Sequence, residues 1–250
     1  MKKKIVVLGG SSGIGRATAE RFAQEGWQVL IAGHVAKDCS ETLDCLVGEG
    51  HLACTTDVRL EADIEKLRAL VALEFGQIDA FVNSIGISQN MLVVDSDFVQ
   101  WDNALQVMLY GAVKCCRALI PLLKEGGRII NITSIHHERV AKGSSAYGMA
   151  KAAITQLTRS LAVELASRNI LANAIAPGFV KTPSSIKADG LDELESAWFH
   201  ENYIKNDHLP LKRAAEPSEI AGVIWFLASP DASYITGSVI TVDGGLTITF

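Results

Sequence analysis

The chain is poor in the features that mark several protein classes. Its five cysteines are odd in number and none form a C-x-x-C pair. Neither a disulfide framework nor a cysteine-based zinc site is therefore indicated. They read as buried or free thiols of a reducing compartment, with the adjacent Cys115 and Cys116 in a helical core. Positive charge is scarce. The 23 lysines and arginines face 28 aspartates and glutamates, and no basic cluster exceeds Lys2, Lys3 and Lys4. Nucleic acid and anionic membrane are thus not expected partners. No apolar run reads as membrane-spanning, and the N-terminal lysines lead into a four-residue apolar stretch, too short for a signal-peptide core. No repeat, low-complexity tract or Pro/Ser-rich linker interrupts the 250 residues. These absences leave a soluble, cytoplasmic protein with one domain over residues 1–250.

What is present is a regular alternation. Short β-branched runs at 5–8, 29–32, 80–83, 128–133, 171–175 and 239–242 read as strands. They lack in/out alternation, as expected where both faces of a parallel sheet are covered. Helical patterns lie between them at 16–25, 63–75, 101–123, 146–166 and 217–228. The alternation predicts a Rossmann-type α/β fold, a doubly wound parallel sheet in three α/β/α layers. One segment, 182–209, breaks the rhythm. It is polar and charged, follows a Pro-Gly break, and reads as a mobile lid over a substrate site; an ordinary surface helical hairpin is the alternative.

The first strand runs into Gly9-Gly10-Ser11-Ser12-Gly13-Ile14-Gly15 and then into a helix. Glycines allow a tight turn and close backbone approach to a pyrophosphate, and the helix N-terminus adds partial positive charge. Strand before and helix after are the context such a motif needs. Gly9, Ser11, Ser12, Gly13, Ile14 and Gly15 are therefore candidate nucleotide-binding residues.

A second constellation lies in "SIHHERVAKGSSAYGMAK", from Ser134 to Lys151. Tyr147 and Lys151 are four apart and share one helix face. A lysine ammonium beside a phenol favours the phenolate, which predicts a lowered Tyr147 pKa and a usable acid/base. Ser134 ends a strand at the carboxyl edge of the sheet, where its hydroxyl can donate to an oxygen that gains negative charge. A metal is not expected at His136 and His137, because adjacent side chains on an extended loop point to opposite sides.

The phosphate loop with G-x-x-x-G-x-G spacing, the Ser…Tyr-x-x-x-Lys set with thirteen residues from serine to tyrosine, "NAIAPGFVKT" and "SYITGSVITVDGG" together resemble the short-chain dehydrogenase/reductase family over nearly the whole chain. Among its members the chain resembles 3-oxoacyl-ACP reductases, and "SIHHE" is similar to the Ser-Val-His-Glu of bacterial glucose 1-dehydrogenases. The resemblance implies an oxidoreductase that moves a hydride between a nicotinamide and a secondary alcohol or ketone, of 3-oxoacyl or sugar/polyol type. It makes Ser134, Tyr147 and Lys151 the catalytic residues. It adds Asp57 and Val58 along the adenine, Asn83 and Gly86 of the Asn-Asn-Ala-Gly element, and Pro177, Gly178, Val180 and Thr182 beside the nicotinamide. His136 borders the substrate with Ser134 and Tyr147. A small-molecule substrate and a homotetramer are implied.

For the cofactor, Gly33 stands where NAD-preferring members carry Asp, and His34 where NADP-preferring members often carry Arg, with Lys37 close behind. No carboxylate there repels a 2′-phosphate, so the reading is NADP, with NAD as the alternative. An imidazole is a weaker phosphate clamp than a guanidinium. Lys181, Lys187, Lys205 and Arg213 offer a modest basic patch for an acyl-carrier-protein partner. Two departures stand out. Leu8 replaces the usual Thr, and Met108 replaces the Asn of Val-Asn-Leu, which removes the side chain that links the catalytic lysine to solvent. Met108 supports the alternative of a catalytically weak nucleotide-binding sensor or scaffold.

Overall fold

The computed structural model describes residues 2–87, 90–186 and 189–249. Seven strands form one sheet: β1 (Lys4–Leu8), β2 (Gln28–Gly33), β3 (Leu52–Thr55), β4 (Ile78–Asn83), β5 (Leu123–Ile132), β6 (Leu171–Pro177) and β7 (Val239–Val242). Their order is β3-β2-β1-β4-β5-β6-β7, and every pair is parallel. The order reverses between β1 and β4, and the crevice at such a switch point is where ligands bind in this architecture.

Among the described residues, eight α-helices accompany the sheet: α1 (Gly13–Gln24), α2 (Ala36–Cys45), α3 (Glu61–Leu70), α4 (Phe98–Leu105), α5 (Gly111–Leu119), α6 (Ser145–Glu164), the short α7 (Ala197–Phe199) and α8 (Pro217–Ala228). The sheet buries both faces. Ile5, Val7, Val29 and Ile31 meet α1 and α8 through Phe22, Ile220 and Ile224 on one side. Val6, Leu8, Leu30 and Phe81 meet α3, α5 and α6 through Leu67, Cys115 and Leu161 on the other. Continuous apolar strands are what this two-sided burial requires. Burial pushes the Cys115 and Cys116 thiols up to about 12, which keeps them protonated and inert.

Two expectations need correction. The helix placed at 101–123 stops earlier. Pro121 sits in a 3₁₀ turn over Ile120–Leu122, and Leu123 pairs with Ile78 to begin β5. A proline cannot continue the helical hydrogen-bond ladder. Second, the helical stretch Phe98–Leu122 is long and apolar enough to cross a membrane by length and composition, with an 18-residue window of mean hydropathy 1.3. Scattered polar residues such as Asp102 and Lys114 concealed it in the sequence. Its apolar side packs inward instead: Ala104 and Met108 contact Ala146 and Ala150 of α6, and Cys116 and Leu119 reach the sheet.

Candidate active site

The carboxyl ends of the strands open into a cleft of about 460 Å³. The turn after β1 forms its floor. Gly9 has φ +69°, and a Cβ there would lie 2.7 Å from the Ser84 carbonyl oxygen. Gly13 has φ +50°, opening α1 in a conformation that side chains disfavour. The amides of Gly9 and Gly10 both donate to the Ala32 carbonyl, at 2.8 and 3.2 Å. A cradle of this kind, with no room for side chains and a helix N-terminus at its end, fits a dinucleotide pyrophosphate.

Gly9, Ser11, Ser12, Gly13, Ile14, His34, Asp57, Val58, Gly86, Ser134, Tyr147, Lys151, Pro177, Gly178, Val180 and Thr182 all line this one cleft. Gly15, Asn83 and His136 do not. Gly15 lies beneath the loop, where a Cβ would stand 2.0 Å from the Gly9 carbonyl oxygen. Asn83 is buried and holds the frame. Its amide donates to Asn131 at 3.3 Å, and Asn131 donates to Thr158 at 2.9 Å. The signal for this chain was buried amides at the ends of apolar strands, and the sequence reading took up only the first.

Ser134 follows β5 and is buried; its hydroxyl accepts from the His136 amide at 3.2 Å and is hydrogen-bonded with the Tyr147 phenol. Tyr147 and Lys151 lie on α6, whose first turn is anchored to α4 by Trp101 donating to Ser145 at 2.9 Å. Lys151 Nζ sits 5.6 Å from the Tyr147 ring centroid and donates to the carbonyls of Ile85 and Ile132 at 3.1 and 3.0 Å. Burial lowers its pKa to about 8.

The expected lowering of the Tyr147 pKa does not occur. Burial raises it, and the Ser134 hydrogen bond offsets only part of that rise. The reason is local: Lys151 directs its donors at backbone carbonyls, and its own charge is weakened by desolvation.

The His136 ring meets Tyr147 edge-on at 5.7 Å between centroids. Burial lowers the pKa of both His136 and His137. The His137 side chain is only 7% exposed, whereas that of its neighbour Glu138 is 70% exposed. Among the described residues no cluster could hold a metal.

At the adenosine end, Gly33 stands at the close of β2, and a Cβ there would lie 2.5 Å from Ser11 Oγ, so a larger residue would require the Ser11 side chain to move. Lys37 turns away, 81% exposed and paired with Glu41 at 3.6 Å, and it is Asp38 that lines the cleft. This corrects the reading of Lys37 as a phosphate-side residue. Helical spacing explains it: Lys37 and Asp38 are successive residues of α2 and face different ways. Arg59 and Asn103, which the sequence reading passed over, also line this end.

Met108 is fully buried in a π-helical turn over Gln106–Tyr110. It packs with Ala104, Ala146 and Ala150, and Tyr147 lies against the same cluster. Phe179, just before the 182–209 segment, contacts Phe199 and Tyr203 of that segment at 4.9 and 4.7 Å between ring centroids. Three residues of the modest basic patch are already matched: Lys181 with Glu216, Lys205 with Glu201 and Arg213 with Glu219, at 2.6, 2.8 and 2.7 Å. Lys187 lies outside the described residues, as does Ala188.

Comparison with known proteins agrees with this geometry. A family described as "Enoyl-(Acyl carrier protein) reductase" matches residues 9–247. A 3-oxoacyl-[acyl-carrier-protein] reductase of Thermotoga maritima is 37% identical over 98% of both chains. The chain belongs to the short-chain dehydrogenase/reductase family. Carbonyl reductase family member 4 of Danio rerio is 34% identical over 98% of each chain. Among solved structures, a short-chain dehydrogenase/reductase of the glucose/ribitol dehydrogenase type from Brucella melitensis aligns with TM-score 0.87 at 31% identity, covering 98% of this chain and 99% of that one. The protein is an oxidoreductase of this family, and its relatives imply a nicotinamide cofactor.

Proposed function

We propose that this protein is an NADP(H)-dependent oxidoreductase acting on a secondary alcohol or ketone. One observation carries the reading: the phosphate-loop cradle and the Ser134–Tyr147–Lys151 set open into one cleft. When bound, the nicotinamide supplies or accepts the hydride. Tyr147 gives its phenolic proton to the substrate oxygen in reduction and takes it back in oxidation. Ser134 donates a hydrogen bond to that oxygen as charge develops. Lys151 holds its donors beside Tyr147, near the nicotinamide ribose.

Pro177, Gly178, Val180 and Thr182 form the nicotinamide wall, and the 182–209 segment is the lid over the substrate. His136, against Tyr147, borders the substrate. NADP is favoured because Gly33 leaves no carboxylate at the end of β2 and His34 lines the cleft. Asp38 at the same end keeps NAD as the alternative. The relatives' names favour a 3-oxoacyl substrate, whereas the neutralised basic patch favours a sugar or polyol. The reading includes a cytoplasmic homotetramer.

A screen of 3-oxoacyl thioesters, polyols and aldoses with NADPH and NADP tests this directly. On the substrate found, Tyr147→Phe should lower kcat by about 10²–10⁴-fold, the usual contribution of a general acid/base, and leave nucleotide binding intact. Unchanged turnover would refute the assigned mechanism. Met108 favours a second reading, a catalytically weak nucleotide sensor, in which the wild type binds NADPH but turns over none of these substrates.

A further inference from the structure

The loop after β3 carries a side chain with no role so far. Arg59 reaches back to Asp57, donating from Nε to Oδ1 at 3.0 Å and from Nη2 to Oδ2 at 2.6 Å. Its own amide donates to Asp57 Oδ1 at 3.0 Å. Nη1 then crosses to α4 and donates to Asn103 Oδ1 at 3.2 Å. Its carbonyl accepts from Lys114 Nζ at 3.2 Å. The guanidinium is thus held at one edge by a carboxylate and at another by an amide from an element 44 residues away. The Arg59 side chain is nevertheless 50% exposed, and it lines the cleft beside Val58 and His34. Edge hydrogen bonds leave the flat faces of a guanidinium free, and such faces stack on aromatic bases.

We propose that Arg59 is a stacking platform for the adenine ring, fixed in its plane by Asp57 and Asn103. This rests on the nucleotide-binding reading above and adds to it the residue that recognises the base. Asp57 then has two tasks, since its carboxylate orients Arg59 as well as lying along the base. A lysine at position 59 would keep the charge but could not present a plane or bridge two partners. Because the face of the cation is used, the 2′-phosphate is not what Arg59 reads.

Calorimetric titration of the whole protein with 5′-AMP, 2′,5′-ADP, nicotinamide mononucleotide and NADPH tests this without turnover. Arg59→Ala should weaken 5′-AMP and 2′,5′-ADP by the same factor, about tenfold, and leave nicotinamide mononucleotide unchanged. Arg59→Lys should behave like Arg59→Ala, and Asn103→Ala should show a smaller loss of the same kind. Far-ultraviolet circular dichroism and melting of each variant report folding. If Arg59→Ala is folded and binds 5′-AMP as the wild type does, the platform is refuted. A loss confined to 2′,5′-ADP, or full rescue by lysine, would make Arg59 a charge clamp and overturn it equally. If the wild type binds none of the four ligands, it is the nucleotide-binding reading that fails.

Discussion

Lys151 is a buried amine whose two protein partners are uncharged carbonyls, and its titration links site chemistry to stability. Burial holds its folded pKa at about 8, below the ordinary lysine value of 10.5. Between those values the unfolded chain binds more protons than the folded one, so stability rises with pH across that window and is depressed below it. The shift corresponds to about 3 kcal/mol at most. Denaturant unfolding of the wild type and of Lys151→Met, from pH 7 to pH 10, should show the stability difference moving in favour of the wild type as pH rises. A difference independent of pH would mean that Lys151 titrates normally. Ser134, Tyr147 and Lys151 were legible in the sequence because spacing on one strand end and one helix brings them together. The direction of the Tyr147 shift was not, since it depends on where Lys151 aims its protons. Arg59 was not legible either, because its role needs Asn103 from a distant helix, although it directly follows Asp57 and Val58.

The elements themselves were readable where hydrophobic pattern decides them, and less so where packing does. The first βα unit declared itself through strand, glycines and helix in sequence. The end of the long helix was misjudged because Leu119, Ile120, Leu122 and Leu123 continue an apolar pattern across Pro121. The π-helical turn at Gln106–Tyr110 carries no sequence signature, yet it places Met108 in an apolar cluster behind Tyr147. Restoring asparagine there, Met108→Asn, should therefore bury an unpartnered amide. The expected loss is about 2 kcal/mol, or roughly 4–8 °C in Tm for a chain of this size, read by differential scanning calorimetry. An unchanged Tm with faster turnover would show instead that the cluster accommodates a polar relay.

At the scale of the whole molecule, both faces of the sheet are covered by the chain's own helices, while the outer sides of α4 and α6 keep exposed apolar residues, among them Phe98, Val99, Met149 and Val163. These fit the proposed tetramer, so light scattering should give four times the 26.8 kDa chain mass; a monomer at micromolar concentration would contradict it. The strand order, the switch-point crevice and the cleft follow from the alternation in the sequence. The placement of the proposed lid at 182–209 does not, because it depends on contacts of Phe199 and Tyr203 with Phe179, outside that segment. The most direct test of the central claim is a fluorescence titration of the protein with NADPH and, separately, NADH. Saturable binding with NADPH tighter by tenfold or more, about 1.4 kcal/mol, is the result this account expects. Binding of neither nucleotide would contradict it.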